Sequence, residues 1–263
     1  MKLIEVNQVG KQYGDNVVLE RLSFSVNAGE FCTMVGTSGC GKTTFLRMLL
    51  GEERPSQGDI LMDGKALPAE PGPDRGVVFQ RYSVMPHLSV LGNVMLGPEL
   101  KAGGMLARTF GARRAAIRDE AKALLDAVGL SHALNRYPAE LSGGMQQRLA
   151  IAQALIMKPR ILLLDEPFGA LDPGIRADMH DLVLRLWRET GVTVFMVTHD
   201  LKEGFSLGTR LLVFDKIRRD AQAPNAYGAT ITYDLPLKHA DKALQNNIAS
   251  EVAQTSQLLA GAI

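Results

Sequence analysis

Cysteine is almost missing from this sequence. There are two in 263 residues, Cys32 and Cys40. A pair so close together offers neither a disulfide framework nor a metal-ligand spacing, which fits a reducing compartment. Long apolar runs are missing as well. A membrane-spanning helix needs about 18 or more consecutive apolar residues. The longest runs here, Ile161–Leu164 and Val192–Val197, are strand-sized. The opening MKLIEVNQVGKQYG holds no apolar core of signal-peptide length. These absences predict a soluble, cytoplasmic chain that reaches a membrane only through a partner. Charge excess is also lacking: 29 basic against 28 acidic residues leave +1. Binding to a nucleic-acid backbone needs a basic face, so no nucleic-acid partner is expected. Internal repeats and low-complexity segments are absent.

What is present is an alternation of short apolar runs with longer helical patterns. Strands are expected at Leu3–Val9, Leu22–Val26, Phe31–Val35, Asp59–Met62, Gly76–Phe79, Ile161–Leu164, Thr193–Val197 and Arg210–Phe214. Several are rich in Val, Leu and Ile without polar alternation, as strands covered on both faces are. Helices are expected at Lys42–Leu50, Gly174–Glu189 and Leu201–Leu207, with Asp172 and Pro173 marking the start of the second. Residues 83–153 lack clear strands. There, Arg113–Val128 sets Ile117, Ala121, Leu124, Leu125 and Val128 on one helical stripe. The expected class is α/β with a mainly parallel sheet and an antiparallel β subdomain. The expected domain is 1–215 with a helical subdomain inserted at about 83–153, followed by a C-terminal extension, 216–263. In that extension Thr230–Leu235 is expected as a strand and Lys242–Leu259 as a helix.

Two motifs carry chemistry on their own residues. Gly36, Thr37, Ser38, Gly39, Cys40, Gly41, Lys42 and Thr43, followed by Thr44, fit G-x-x-x-x-G-K-[ST] between a strand and a helix. Glycines let successive N–H groups turn toward phosphate oxygens, and the helix adds its positive N-terminal end. Lys42 can reach β- and γ-phosphates, and the Thr43 hydroxyl can ligate Mg²⁺. Downstream, Ile161–Leu164 delivers Asp165 and Glu166 at a strand end. Alone, an acidic pair there is commonly a helix cap or a solvated strand end. After a phosphate loop, Asp165 reads as a Mg²⁺ ligand acting through water, and Glu166 as the group that polarises an attacking water. ATP and Mg²⁺ are the implied ligands.

Leu141, Ser142, Gly143, Gly144, Met145, Gln146, Gln147 and Arg148 narrow the class. This string resembles the signature of ABC ATPases, and it opens a helix with a second anion-binding start. The remaining family elements follow in order over Leu3 to Phe214. Tyr13 resembles the aromatic that stacks on adenine. Gln80 resembles the glutamine that senses Mg²⁺ and the γ-phosphate. Phe168 to Asp172 resembles the loop that crosses a dimer interface, and His199 resembles the switch histidine on the γ-phosphate. Gln153 departs from the family, which commonly has arginine there. The resemblance implies two ATPase subunits, identical or paired, closing head to tail on two MgATP. In each site, Ser142, Gly143 and Gly144 of one chain would face the phosphate loop of the other. It also implies transmembrane permease subunits as partners and, through them, an extracytoplasmic solute-binding protein. The chain would sit peripherally on the cytoplasmic face of the membrane.

The stretch from Arg75 to Val90 resembles the nitrate, sulfonate and taurine importer ATPases. The tail from Ala223 to Leu237 resembles relatives associated with urea carboxylase, which would imply urea or guanidine instead. A soluble ABC ATPase acting on ribosomes or DNA, and a nucleotide-binding module without turnover, are the readings from other classes.

Overall fold

The structure is a computed structural model, and it describes residues 1–79, 84–103, 111–218, 220, 222–223 and 225–237. Gln80 and the expected helix at Lys242–Leu259 lie outside them. The first elements are β1 (Lys2–Tyr13), β2 (Asn16–Asn27), β3 (Phe31–Gly36), α1 (Lys42–Leu50), β4 (Gln57–Met62), β5 (Lys65–Ala66) and β6 (Arg75–Val78). Then come α2 (Val90–Gly103), α3 (Gly111–Ala127), α4 (Gly143–Leu155), β7 (Ile161–Asp165) and α5 (Pro173–Thr190). The last are β8 (Thr193–Val197), α6 (Leu201–Leu207), β9 (Arg210–Asp215) and β10 (Thr230–Pro236). The chain divides into two compact units, Met1–Gly72 with Gly191–Ile263, and Pro73–Thr190.

In the first unit, β2, β1, β4 and β5 form an antiparallel sheet in that order. β1 and β2 run longer than their apolar cores predict. Lys11 and Gln12 pair with Leu19 and Val17 of β2, and the Gln8 and Gln12 N–H groups donate to the Ser23 and Ser56 hydroxyls, so this backbone finds partners although the side chains are polar. A bulge interrupts the register between Val6 and Val9, where Gln8 takes a φ of 50°. The other strands of this unit run β10-β9-β3-β8. β3 lies parallel to β8 and β9, and β10 is antiparallel to β9. Every residue of β3 and β8 is buried, the doubly covered state that their unbroken apolar runs imply. The β10 side chains Tyr233 and Leu235 pack with Leu201 and Phe205 of α6 against Val35, Leu211 and Val213. Arg210 fastens this edge: its guanidinium donates two 2.6 Å bonds to Asp234 and pairs with Glu30 at 3.3 Å.

In the second unit, β6 and β7 pair in parallel. Gly76 of β6 accepts the close approach of α4: a Cβ there would stand 3.0 Å from the Ala154 carbonyl. The stripe on α3 is buried at Ala121, Leu125 and Val128, while Ile117 and Leu124 are partly covered. Arg148 of α4 and Arg185 of α5 donate to the carbonyls of Val128 and Ala127, at 3.0 and 2.6 Å, at the end of α3. Periodicity alone does not delimit α2, which contains Pro98 and has apolar residues around its circumference. No helix among the described residues is long and apolar enough to cross a membrane.

Candidate nucleotide site and signature helix

The first unit holds the phosphate loop. β3 ends at Gly36, pressed on its neighbour β9, where a Cβ would stand 2.2 Å from the Phe214 carbonyl. At the other end, Gly41 is the N-cap of α1 with φ 88°. A side chain there would be strained, and its Cβ would stand 2.6 Å from Leu19. The backbone between Gly36 and Gly41 is therefore a cradle that other residues would fill or distort. The first turn of α1 contains no acidic residue, so its N–H groups and the helix dipole keep their pull on an anion. Lys42 is 6% exposed. Its ammonium donates to the carbonyls of Gly36 at 2.8 Å and Thr37 at 2.9 Å, and reaches the Cys40 sulfur at 3.5 Å. Burial pushes the Cys40 thiol up against the opposing pull of Lys42, so the thiol stays protonated at neutral pH. Thr37 is half-buried, and Ser38 and Gly39 are exposed.

Tyr13 ends β1 and is 46% exposed. Its hydroxyl donates to the carboxylate of Glu53, just past the Gly51 cap of α1. The structure thus joins the expected base platform to the helix that begins with Lys42. Burial raises the Tyr13 pKa, and the Glu53 bond adds to this. In Glu53 itself burial acts upward. The hydrogen bonds from Tyr13 and Lys11, with the charges of Lys11 and Arg47, outweigh it and hold the carboxyl below its ordinary range. His199 is exposed in the turn between β8 and α6. That turn is held from below: Asp200 caps α6 on the N–H of Lys202 and Glu203, and the buried Thr198 hydroxyl donates to Glu203.

In the second unit, β7 carries Asp165 at its end, and both Asp165 and Glu166 are partly buried. Glu166 has φ 47°, a left-handed backbone that costs a non-glycine residue about 1–3 kcal/mol where it is over-determined by its surroundings. The turn beyond it is anchored by buried Phe168 and Leu171, with Phe168 edge-on to His180 at 4.9 Å. α4 starts as the sequence implies. Ser142 is its N-cap, with the hydroxyl accepting from the Met145 N–H at 3.4 Å. Ser142 and Gly143 are exposed, while Gly144 is buried, its position 2.7 Å from Ile175 when a Cβ is added.

The hydroxyl of Thr43 and the carboxylate of Asp165 are hard oxygen donors, the kind Mg²⁺ takes alongside phosphate oxygens. Sequence reasoning missed Lys11 and Glu53. Lys11 had a faint signal, since residues two apart on a strand share a face. Glu53 had none, being 40 positions from Tyr13.

Comparison with known proteins gives a consistent result. A family model described as "ABC transporter" matches residues 19–169. The aliphatic sulfonates import ATP-binding protein SsuB of Escherichia coli K12 is 41% identical over 231 residues, 88% of this chain and 81% of that protein. The nitrate import ATP-binding protein NrtC of Synechococcus elongatus is 42% identical over 200 residues, covering 76% of this chain and 29% of that protein. Among solved structures, cbiO1 of Clostridium perfringens, part of the ABC transporter complex cbiONQ, superposes with a TM-score of 0.76. It is 24% identical and covers 98% of both chains.

Proposed function

Because the chain belongs to the ABC transporter family of ATP-binding proteins, we propose that it is the ATP-hydrolysing subunit of an importer for a small solute of the sulfonate or nitrate kind. The observation that carries the ATPase reading is the glycine cradle between β3 and α1, closed over a buried lysine at a helix start without acidic residues. Identity above 40% to the sulfonate and nitrate import proteins supports the solute class. The ATPase domain is taken as 1–215, with the helical part at about 83–153 as the subdomain that answers the permease.

Each residue then has a task. The N–H groups of Gly36–Thr44 and the Lys42 ammonium bind the phosphates. Thr43, Asp165 and Gln80 hold Mg²⁺, which neutralises phosphate charge when bound. Glu166 orients and polarises the attacking water, His199 contacts the γ-phosphate, and Tyr13 stacks on adenine. Ser142, Gly143 and Gly144 of a second subunit present the exposed start of α4 to the γ-phosphate. That completes the site only when two chains close. The pair works on the cytoplasmic face of the membrane, against permease subunits that meet the solute-binding protein outside.

Two measurements test this reading. Affinity capture of the full chain from membranes recovers a polytopic permease, and reconstituted vesicles take up an alkanesulfonate or nitrate in proportion to ATP hydrolysed. Capture of ribosomes or DNA without a permease would overturn it. Ser142→Arg keeps ATP binding by the separate chain but blocks turnover, because a guanidinium then stands where the partner's γ-phosphate must fit. Full activity in this variant, or specific activity independent of enzyme concentration down to high dilution, argues against an obligatory pair.

A further inference from the structure

Glu53 belongs to none of the nucleotide-binding motifs, yet it holds the side chain on which base recognition depends. Tyr13 sits at the tip of the β1–β2 hairpin, next to Gly14 with its φ of 55°. A platform that rotates freely must be ordered when the base arrives, and ordering a side chain subtracts from affinity.

Two cations and one carboxylate remove that freedom. The Glu53 carboxylate accepts from the Tyr13 hydroxyl and pairs with Lys11 at 3.0 Å and Arg47 at 3.7 Å. Lys11 also donates to the Arg54 carbonyl at 2.9 Å, and its nitrogen lies 4.8 Å from the Tyr13 ring centroid. One face of the ring is thereby covered by a cation, and the 46% exposure of Tyr13 leaves surface for a stacking partner. The carboxylate is itself fixed. The Glu52 and Glu53 N–H groups donate to the Arg47 carbonyl at 3.0 and 3.4 Å, just past the Gly51 cap of α1. So the anchor of the ring rides on the far end of the helix whose near end carries Lys42.

We propose that Glu53 is a positioning residue for base recognition: it fixes the Tyr13 ring, backed by Lys11, at a set distance from the phosphate loop through α1. The ring and the loop then meet the two ends of one nucleotide as a single preformed unit. This rests on Tyr13 being the adenine platform.

The test compares Tyr13→Ala, Tyr13→Phe, Glu53→Ala and Glu53→Gln in the full chain. The readouts are KM and kcat for ATP and the affinity for inorganic tripolyphosphate, which has the phosphates but no base. Tyr13→Ala raises KM for ATP. Glu53→Ala raises it by roughly 2–10-fold, the scale of one side chain that must be ordered on binding. It leaves kcat and tripolyphosphate affinity as in the wild type. Glu53→Gln, which still offers an acceptor, restores most of the affinity. Tyr13→Phe keeps the ring but loses the tether, so it matches Glu53→Ala, and the two together add nothing further. A raised KM in Tyr13→Ala with wild-type KM in Glu53→Ala sinks the positioning role and leaves the platform standing. Wild-type KM in Tyr13→Ala sinks the platform and the positioning role with it. Equal loss of ATP and tripolyphosphate in Glu53→Ala would make Glu53 a support of the whole loop and overturn the proposal. If Glu53→Ala fails to fold, wild-type KM in Tyr13→Phe overturns it as well.

Discussion

Glu166→Gln lowers steady-state ATP hydrolysis by about 10²–10⁴-fold, the usual contribution of a general base, while MgATP still binds. The amide keeps the shape and much of the hydrogen bonding of the carboxylate but loses its charge and basicity. The groups that hold the phosphates are untouched: Lys42, Thr43 and the start of α1 lie far from position 166 in sequence. The left-handed backbone at Glu166, φ 47°, is as accessible to glutamine as to glutamate, so the substitution adds little strain. With binding intact and turnover slowed, closed pairs accumulate. Size-exclusion chromatography then shows an ATP-dependent dimer in the variant and mainly monomer in the wild type. A helix cap or a solvated strand-end charge would instead give a small stability loss, near-normal turnover and no trapped dimer. Near-wild-type ATPase in Glu166→Gln removes the catalytic assignment even though the fold stands.

Lys42→Ala weakens ATP binding and abolishes hydrolysis. A charge-assisted hydrogen bond is worth about 1.5–3 kcal/mol, so the loss of one bond to a phosphate oxygen weakens binding roughly 10–150-fold. The buried position of Lys42 adds a second effect. Its ammonium donates to the Gly36 and Thr37 carbonyls, and alanine leaves both without that donor at the mouth of the loop. Calorimetric titration with MgATP measures the first effect, and a thermal melt without nucleotide measures the second. Wild-type affinity and turnover in this variant refute the assignment of the loop. A melt shifted downward with unchanged affinity makes Lys42 a structural tie only.

The two variants differ in what survives. Glu166→Gln binds and stalls, while Lys42→Ala binds weakly and does not turn over. The ATP-dependent dimer therefore accumulates in the first variant and not in the second, a contrast that a general loss of stability cannot imitate.

Local patterns were legible where a few consecutive residues carry the whole physical reason. The phosphate loop is such a case. Positive-φ glycines, a buried strand before it and a helix after it are set within eight positions, and the sequence alone places α1 at Lys42–Leu50 as found. The unbroken apolar runs of β3 and β8 announce strands covered on both faces. Ser142 announces the cap of α4 by its residue type.

Other features depend on partners that sequence position does not reveal. The polar ends of β1 and β2 become strand because they pair with each other. β10 joins β9 because Arg210 and a shared apolar cluster receive it. The chain leaves the first unit after Gly72 and returns at Gly191, where Pro71, Pro73 and the glycines mark turns but not which segments pack together. Glu166 adopts its left-handed backbone with no glycine to advertise it. Tyr13 is tied to a carboxylate 40 residues away. By itself, then, the sequence determined the motifs, the buried strands and the helix starts, because these follow from backbone freedom and periodicity within a turn or a strand. Only the tertiary structure decided pairing, register and which charges meet, because those energies arise between segments that folding alone brings together.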